Sequence, residues 1–319
     1  MPLIIGIDEA GYGPLLGPLM VASSVWHVER PKWKHDLWEL LSDCVCRPGE
    51  GGDYRIVVGD SKEAYDRKKG IATLERTVLA FVAATGATCP TMLSLLERLG
   101  VSGLATASAP WYRDLSTTLP FDPIQSKFET IAVRLQDAMA KCGARCVGLL
   151  AEVVPEDHYN ARVAQTNSKA AVLVERVLRL MQRGADLANG EDVLIRVDRL
   201  GGRMDYRALL LRSFGERALR VVEETPECSR YRLAGAQNTW YVEFTVEADS
   251  RHLPVALASM VAKYVRETLM MGFNAFWRTH LPDVKPTAGY YKDALRFIDA
   301  IRPVMAAAGM QPELFIRAR

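Results

Sequence analysis

Two adjacent carboxylates, Asp8 and Glu9, close the apolar run LIIGI and open the glycine-rich stretch AGYGPLLGP. An acid at the end of a buried strand is costly unless it has a partner, a proton or a metal ion. A second apolar run, VLIRVD (residues 193–198), ends on Asp198 in the same way. Further on, Ser259, Lys263 and Glu267 recur at steps of four and share one helix face. If the two strands are neighbours in one sheet, Asp8 and Asp198 meet, and a helix packed beside them brings Glu267. Four such carboxylates repel one another, and divalent cations would relieve that repulsion. Oxygen-only donors suit Mg²⁺ or Mn²⁺, and the lack of His or Cys partners disfavours zinc. Carboxylate-held ions activate water and stabilise the leaving oxygen in phosphodiester cleavage. The same residues also admit a plainer reading: solvated acids at strand ends, with Glu267 paired to Lys263.

The elements that must position these acids follow from the hydrophobic pattern. Residues 3–8 and 19–28 read as strands joined by the turn GYGPLLGP. A short helix is expected over 33–46, then the loop RPGEGGD, a strand in YRIVVGD, and a helix over 63–84 capped by Asp60 or Ser61. Residues 85–140 have a different texture, mainly helical, around a Pro/Ser/Thr-rich centre. CVGLLAEVV reads as a strand, SKAAVLVERVLRLMQR as an amphipathic helix, DYRALLLRSF as a helix and RALRVVEE as a strand. A hairpin is expected near 223–243, a long helix over VALASMVAKYVRETLMMGFNAFW, and a final helix at about 292–308. Helix-linked strands beside a tight turn predict a mixed α/β sheet flanked by helices. One domain over 1–319 is expected, with the helical insertion 85–140, the extra hairpin and a helical part at 250–319.

Bulk properties narrow the setting. Forty Lys and Arg balance 38 Asp and Glu, so net charge alone does not predict a polyanionic partner, although a local basic stripe can bind one. No apolar run approaches the roughly 18 residues that span a bilayer, and no signal peptide is evident. Six cysteines without zinc-knuckle spacing predict reduced thiols and a cytoplasmic protein. In the insertion, Trp111, Tyr112, Arg113, Lys127 and Phe128 place aromatics beside cations, which could stack on nucleic acid or pack on the body.

The order of the motifs resembles the type 2 ribonucleases H. GIDEAGYGPLLGPLMV is similar to their DEAGRGP opening, Gly59-Asp60-Ser61-Lys62 to their DSK motif, and VLIRVDRLGG to the strand of their third acid. EADSRHLPVALASMVAKYVRE is similar to their KAD…AAS…AK…RD block, and Ala288–Asp293 to their GSGYP turn. The resemblance covers most of the chain outside 85–140 and 223–243. It implies a ribonuclease H-like sheet and Mg²⁺- or Mn²⁺-dependent hydrolysis of RNA in RNA/DNA hybrids, or at ribonucleotides embedded in DNA, leaving a 3′-hydroxyl. Carried over by position, Asp8, Glu9, Asp198 and Glu267 would be the metal-binding catalytic acids. Gly11, Tyr12 and Gly13 would approach the 2′-hydroxyl, Tyr290 the neighbouring sugar, and Ser61, Lys62 and Lys263 the substrate or the acids. A monomer acting on nucleic acid is the expectation. Departures stand at the site: Tyr12 for an arginine, Glu267 for an aspartate, Glu63 for a lysine and Arg199 for a glycine. They keep a second reading open, a nucleic-acid-binding protein with weakened catalysis.

Overall fold

The computed structural model describes residues 1–50, 54–65, 70–121 and 127–318. Its centre is a seven-stranded mixed sheet in the order β5-β2-β1-β6-β9-β8-β7. These strands are β1 (Leu3–Ala10), β2 (Leu19–Val28), β5 (Ala144–Val154), β6 (Val193–Asp198), β7 (Ala218–Glu224), β8 (Cys228–Ala234) and β9 (Thr239–Thr245). Two-residue strands β3 (Val45–Cys46) and β4 (Ile56–Val57) form a separate parallel pair. β2 and β5 extend antiparallel from β1, while β6 and β9 lie parallel to it. The hairpin expected near 223–243 is present as β8 and β9, and it belongs to the main sheet because β9 pairs with β6.

Alternation along β1 buries both faces of the sheet, as a central strand requires. Ile4 joins one apolar cluster, with Trp26, Phe81 and residues of the helices Ala72–Ala84, Phe128–Cys142 and Leu253–His280. Leu3, Ile5 and Ile7 join the other, with the helices Lys169–Ala185 and Arg207–Ser213. The 28-residue helix Leu253–His280 carries Pro254 as its second residue, and proline is preorganised for the first helical turn. Its start presses directly on β1: a Cβ on Gly6 would lie 2.1 Å from the Pro254 carbonyl carbon. Ser24 Oγ donates to the Pro254 carbonyl at 2.6 Å and pins the same contact.

Two helical expectations shrink. The helix over 33–46 is only Leu37–Leu40, because the chain then turns into β3. The helix over 63–84 is resolved into Ser61–Ala64 and Ala72–Ala84, with 66–69 outside the described residues. Residues 51–53 of the expected loop and 124–126 of the expected insertion helix also fall outside them. Stacking of Trp111 and Tyr112 on nucleic acid is contradicted. Both are buried, and Trp111 packs edge-on to Phe273 at 4.9 Å and Phe315 at 5.9 Å. Apolar area of that size gains more from the core than from solvent. Among the described residues, no helix is long and apolar enough to cross a membrane.

Candidate active site

The parallel register of β1 and β6 pairs Ile7 with Val197, so Asp8 and Asp198 leave the sheet side by side at the same end. Asp8 shares the face of Gly6, two residues earlier, and therefore points toward the start of the long helix. There Ser259 stabilises its ionised form by a side-chain hydrogen bond. Ser259 Oγ also donates to Ser61 Oγ at 3.1 Å, which ties the long helix to the helix Ser61–Ala64. Asp60 caps that short helix, its Oδ1 accepting from the Lys62 amide at 2.9 Å.

Burial and mutual repulsion act together on this group. Burial first, then Glu9 and Asp198, hold the Asp8 carboxyl well above the usual carboxylate range. Glu9 is pushed up to about 7 by burial and by Asp198. Asp198 is raised by burial, although its Oδ1 accepts from the Ala248 amide at 2.8 Å. Asp249, on the next turn of chain after β9, is pushed up to about 6 by burial, Asp60 and Asp198. Lys62 is the cation that offsets part of this field at Glu9, Asp198 and Asp249. A cavity of about 680 Å³ opens beside these acids, lined by Asp60, Lys62, Asp198, Arg199 and Asp249 together with Arg47.

The structure gathers Asp8, Glu9 and Asp198 as expected from the spacing, but not Glu267. Glu267 lies eight residues beyond Ser259, about 12 Å along the helix axis. Its carboxylate is 2.7 Å from Lys263 Nζ and 3.6 Å from Arg266 Nη1. Its expected place among the acids is corrected accordingly, and Lys263 is its ion-pair partner. Asp249 stands in the group instead. The signal for it was its place in the EADSRHLP motif: it stands four residues past the end of β9, on the short helix Ala248–Arg251, outside the strand-end pattern of Asp8 and Asp198.

The turn residues gather on the other side. Gly11 adopts a φ of +83°, which side-chain-bearing residues rarely adopt. Leu15 N donates to the Gly289 carbonyl at 2.8 Å, which brings Tyr290 beside the Gly11–Gly13 segment. Tyr290 is half exposed, with the Arg266 guanidinium 5.8 Å from its ring centre. Among the described residues, the amides of Tyr12 and Gly13 have no acceptor. Sequence reasoning missed Arg266 and Arg317, both almost fully buried beneath this turn.

The donor set fits a hard divalent cation: every ligand candidate is a carboxylate, and each is made a poorer anion by its neighbours. Among the described residues, no three His, Cys, Asp or Glu side chains form a ready chelating group. Mg²⁺ at phosphate-handling sites characteristically takes one or two carboxylates together with substrate oxygens and water, so a complete protein cage is not required.

No protein-family model matches the chain, and no curated protein does. Solved structures similar to it include the RNase HII of a PCNA:RNase HII complex from Archaeoglobus fulgidus, at 16% identity and a TM-score of 0.42 over 99% of this chain and 94% of that one. Ribonuclease H2 from Pyrococcus horikoshii is similar at 13% identity and a TM-score of 0.42, over 98% and 92%. Bst-RNase HIII in complex with Mn²⁺ is similar at 15% identity and a TM-score of 0.43, over 99% of this chain and 66% of that one. At these scores the likenesses add nothing to the functional argument, which the acids carry. In the order of its motifs the chain resembles the type 2 ribonucleases H.

Proposed function

We propose that the protein is a divalent-metal-dependent endonuclease that hydrolyses the RNA strand of RNA/DNA hybrids, or DNA at embedded ribonucleotides. The observation that carries this reading is the acidic group at the ends of adjacent parallel strands, where Glu9, Asp198 and Asp249 raise the pKa of Asp8, and Asp198 raises those of Glu9 and Asp249. Buried like charges are costly, and counter-cations offset that cost. Asp8, Glu9, Asp198 and Asp249 would hold Mg²⁺ or Mn²⁺, which supplies a water of lowered pKa and charge stabilisation at the phosphate. Lys62 is exposed at the cavity rim and can meet a phosphate. The free amides of Tyr12 and Gly13 are suited to a ribose hydroxyl, the group that separates RNA from DNA. Attack of water on phosphorus with loss of the 3′-oxygen would leave a 3′-hydroxyl and a 5′-phosphate. The six cysteines are buried and lie in no disulfide among the described residues, a state that a reducing cytoplasmic setting would preserve.

The test offers purified protein an RNA/DNA hybrid and a duplex carrying one ribonucleotide, with Mg²⁺ or Mn²⁺. Cleavage that falls about 100-fold or more in Asp8→Asn and Asp198→Asn supports the reading. The lack of a ready three-acid chelating group favours a second reading, a binding protein with weakened catalysis. Tight binding with no cleavage under either metal would select it.

A further inference from the structure

Two guanidinium groups grip the Gly11–Gly17 segment from beneath. Arg266 Nη2 donates to the Leu16 and Ala288 carbonyls, both at 3.1 Å. Its Nε occupies the space a Gly11 side chain would need, 2.4 Å from an added Cβ. Arg317 comes from the segment 311–318, at the opposite end of the sequence. Its Nη1 donates to the Gly11 carbonyl and its Nη2 to the Tyr12 carbonyl at 3.0 Å. Its own amide donates to the Leu15 carbonyl at 2.8 Å. The Arg317 guanidinium also lies 4.0 Å from the centre of the Tyr159 ring. One side chain therefore holds two walls of a cavity of about 160 Å³, lined by Tyr12, Gly13, Leu15, Tyr159 and Tyr291 among others.

This geometry has a direct consequence for the amides above it. A peptide whose carbonyl is fixed by a charged donor has its next N–H fixed as well, because the peptide unit is planar. Holding the Gly11 and Tyr12 carbonyls thus aims the Tyr12 and Gly13 amides outward. Charge-assisted hydrogen bonds are the stronger kind, and Arg317, only 2% exposed, is shielded from competing water. Surface anchoring would not need a buried arginine; the Asn160 side chain already ties the same segment through the Glu313 and Ile316 carbonyls and the Ala318 amide.

We infer that Arg317 is a positioning residue for ribose recognition: by fixing the Gly11 and Tyr12 carbonyls it presents the two free amides of the turn to a substrate 2′-hydroxyl. The inference rests on the nuclease reading for its substrate, and its test separates the two. Arg317→Ala and Arg317→Lys are compared with wild type in three measurements. These are hydrogen exchange at the Leu15 and Leu16 amides, binding of a one-ribonucleotide duplex against the all-DNA duplex, and kcat and KM on the former. Lysine keeps the charge but cannot bridge both carbonyls in one plane. A turn displaced by about 1 Å costs about 100-fold in rate. Arg317→Ala is therefore expected to exchange faster at both amides, lose its preference for the ribonucleotide duplex, and lower kcat about 100-fold with KM for that duplex raised as the preference is lost. Arg317→Lys should fall between, and it decides the matter if the alanine variant does not fold. A lower melting temperature with exchange, preference and kcat all unchanged would overturn the inference. If wild type binds but never cleaves, the nuclease reading fails. Exchange and binding preference then judge Arg317: their change upholds it and their constancy overturns it.

Discussion

Glu156 offers a stability measurement that does not depend on activity. It is fully buried at the start of the helix Glu156–Thr166, accepting from the Gly17 amide at 3.1 Å and the Tyr112 hydroxyl at 2.8 Å. Burial outweighs these donors and nearby Arg317, and pushes its pKa up from 4.5 to about 7. The folded protein therefore binds a proton that the unfolded chain releases between those two values. Stability from this site is complete below about pH 4.5 and is lost as pH rises through about 7. Moving the carboxyl from 4.5 to about 7 corresponds to about 3.5 kcal/mol, at roughly 1.4 kcal/mol per tenfold change in proton affinity. Glu156→Gln keeps the shape of the side chain and an oxygen to accept from the Gly17 amide, with its Nε2 able to donate to the Tyr112 oxygen in place of the present bond, so it removes this titration. Urea unfolding of both proteins from pH 4.5 to pH 8 tests it. The variant's stability relative to wild type should rise by about 3 kcal/mol across that range, while slopes from Asp8, Glu9 and Asp249 cancel in the difference. Parallel pH curves for the two proteins would refute the assignment of a buried, proton-holding Glu156.

Asp249→Asn should lower metal-dependent cleavage about as much as Asp198→Asn, about 100-fold or more, whereas Glu267→Gln should cost less than about 10-fold. Glu267→Gln should instead lower stability by about 1–3 kcal/mol, because it weakens the ion pairs of Lys263 and the buried Arg266, measured by denaturant titration. Gly11→Ala should destabilise by at least about 2 kcal/mol, since its φ of +83° and the Arg266 side chain both oppose a methyl group; an unchanged melting temperature would contradict that packing. Divalent metal at 100 times its Kd should stabilise wild type by about 2.7 kcal/mol but leave the Asp8→Asn, Asp198→Asn double variant nearly unmoved in thermal unfolding.

Strands ending on acids were legible because their signals are local. An apolar run sets β1 or β6, and the acid at its end must face a special environment. Asp8, Glu9 and Asp198 could thus be picked out before any contact was known, as could the long helix that covers them. The mixed sheet followed from a tight turn beside helix-linked strands. Spacing along one helix face was a weaker guide. Ser259, Lys263 and Glu267 do share a face, yet a 28-residue helix is far longer than the acidic group, and only its first turns reach Asp8. Glu267 therefore belongs to Lys263 and Arg266, and Asp249 enters from a short turn that has no periodic pattern to reveal it.

Sequence alone determined which residues carry charge, where the apolar strands and the long helix run, and that glycine must stand where the chain turns sharply. Tertiary structure alone decided which acids feel one another, that Trp111 is core, and that Arg317 reaches Gly11 across 306 positions of chain. The physical reason is range. Backbone conformation and apolar periodicity are set by neighbours a few residues away, whereas electrostatic repulsion and buried hydrogen bonds depend on distance through space, which only the packed sheet and helices define.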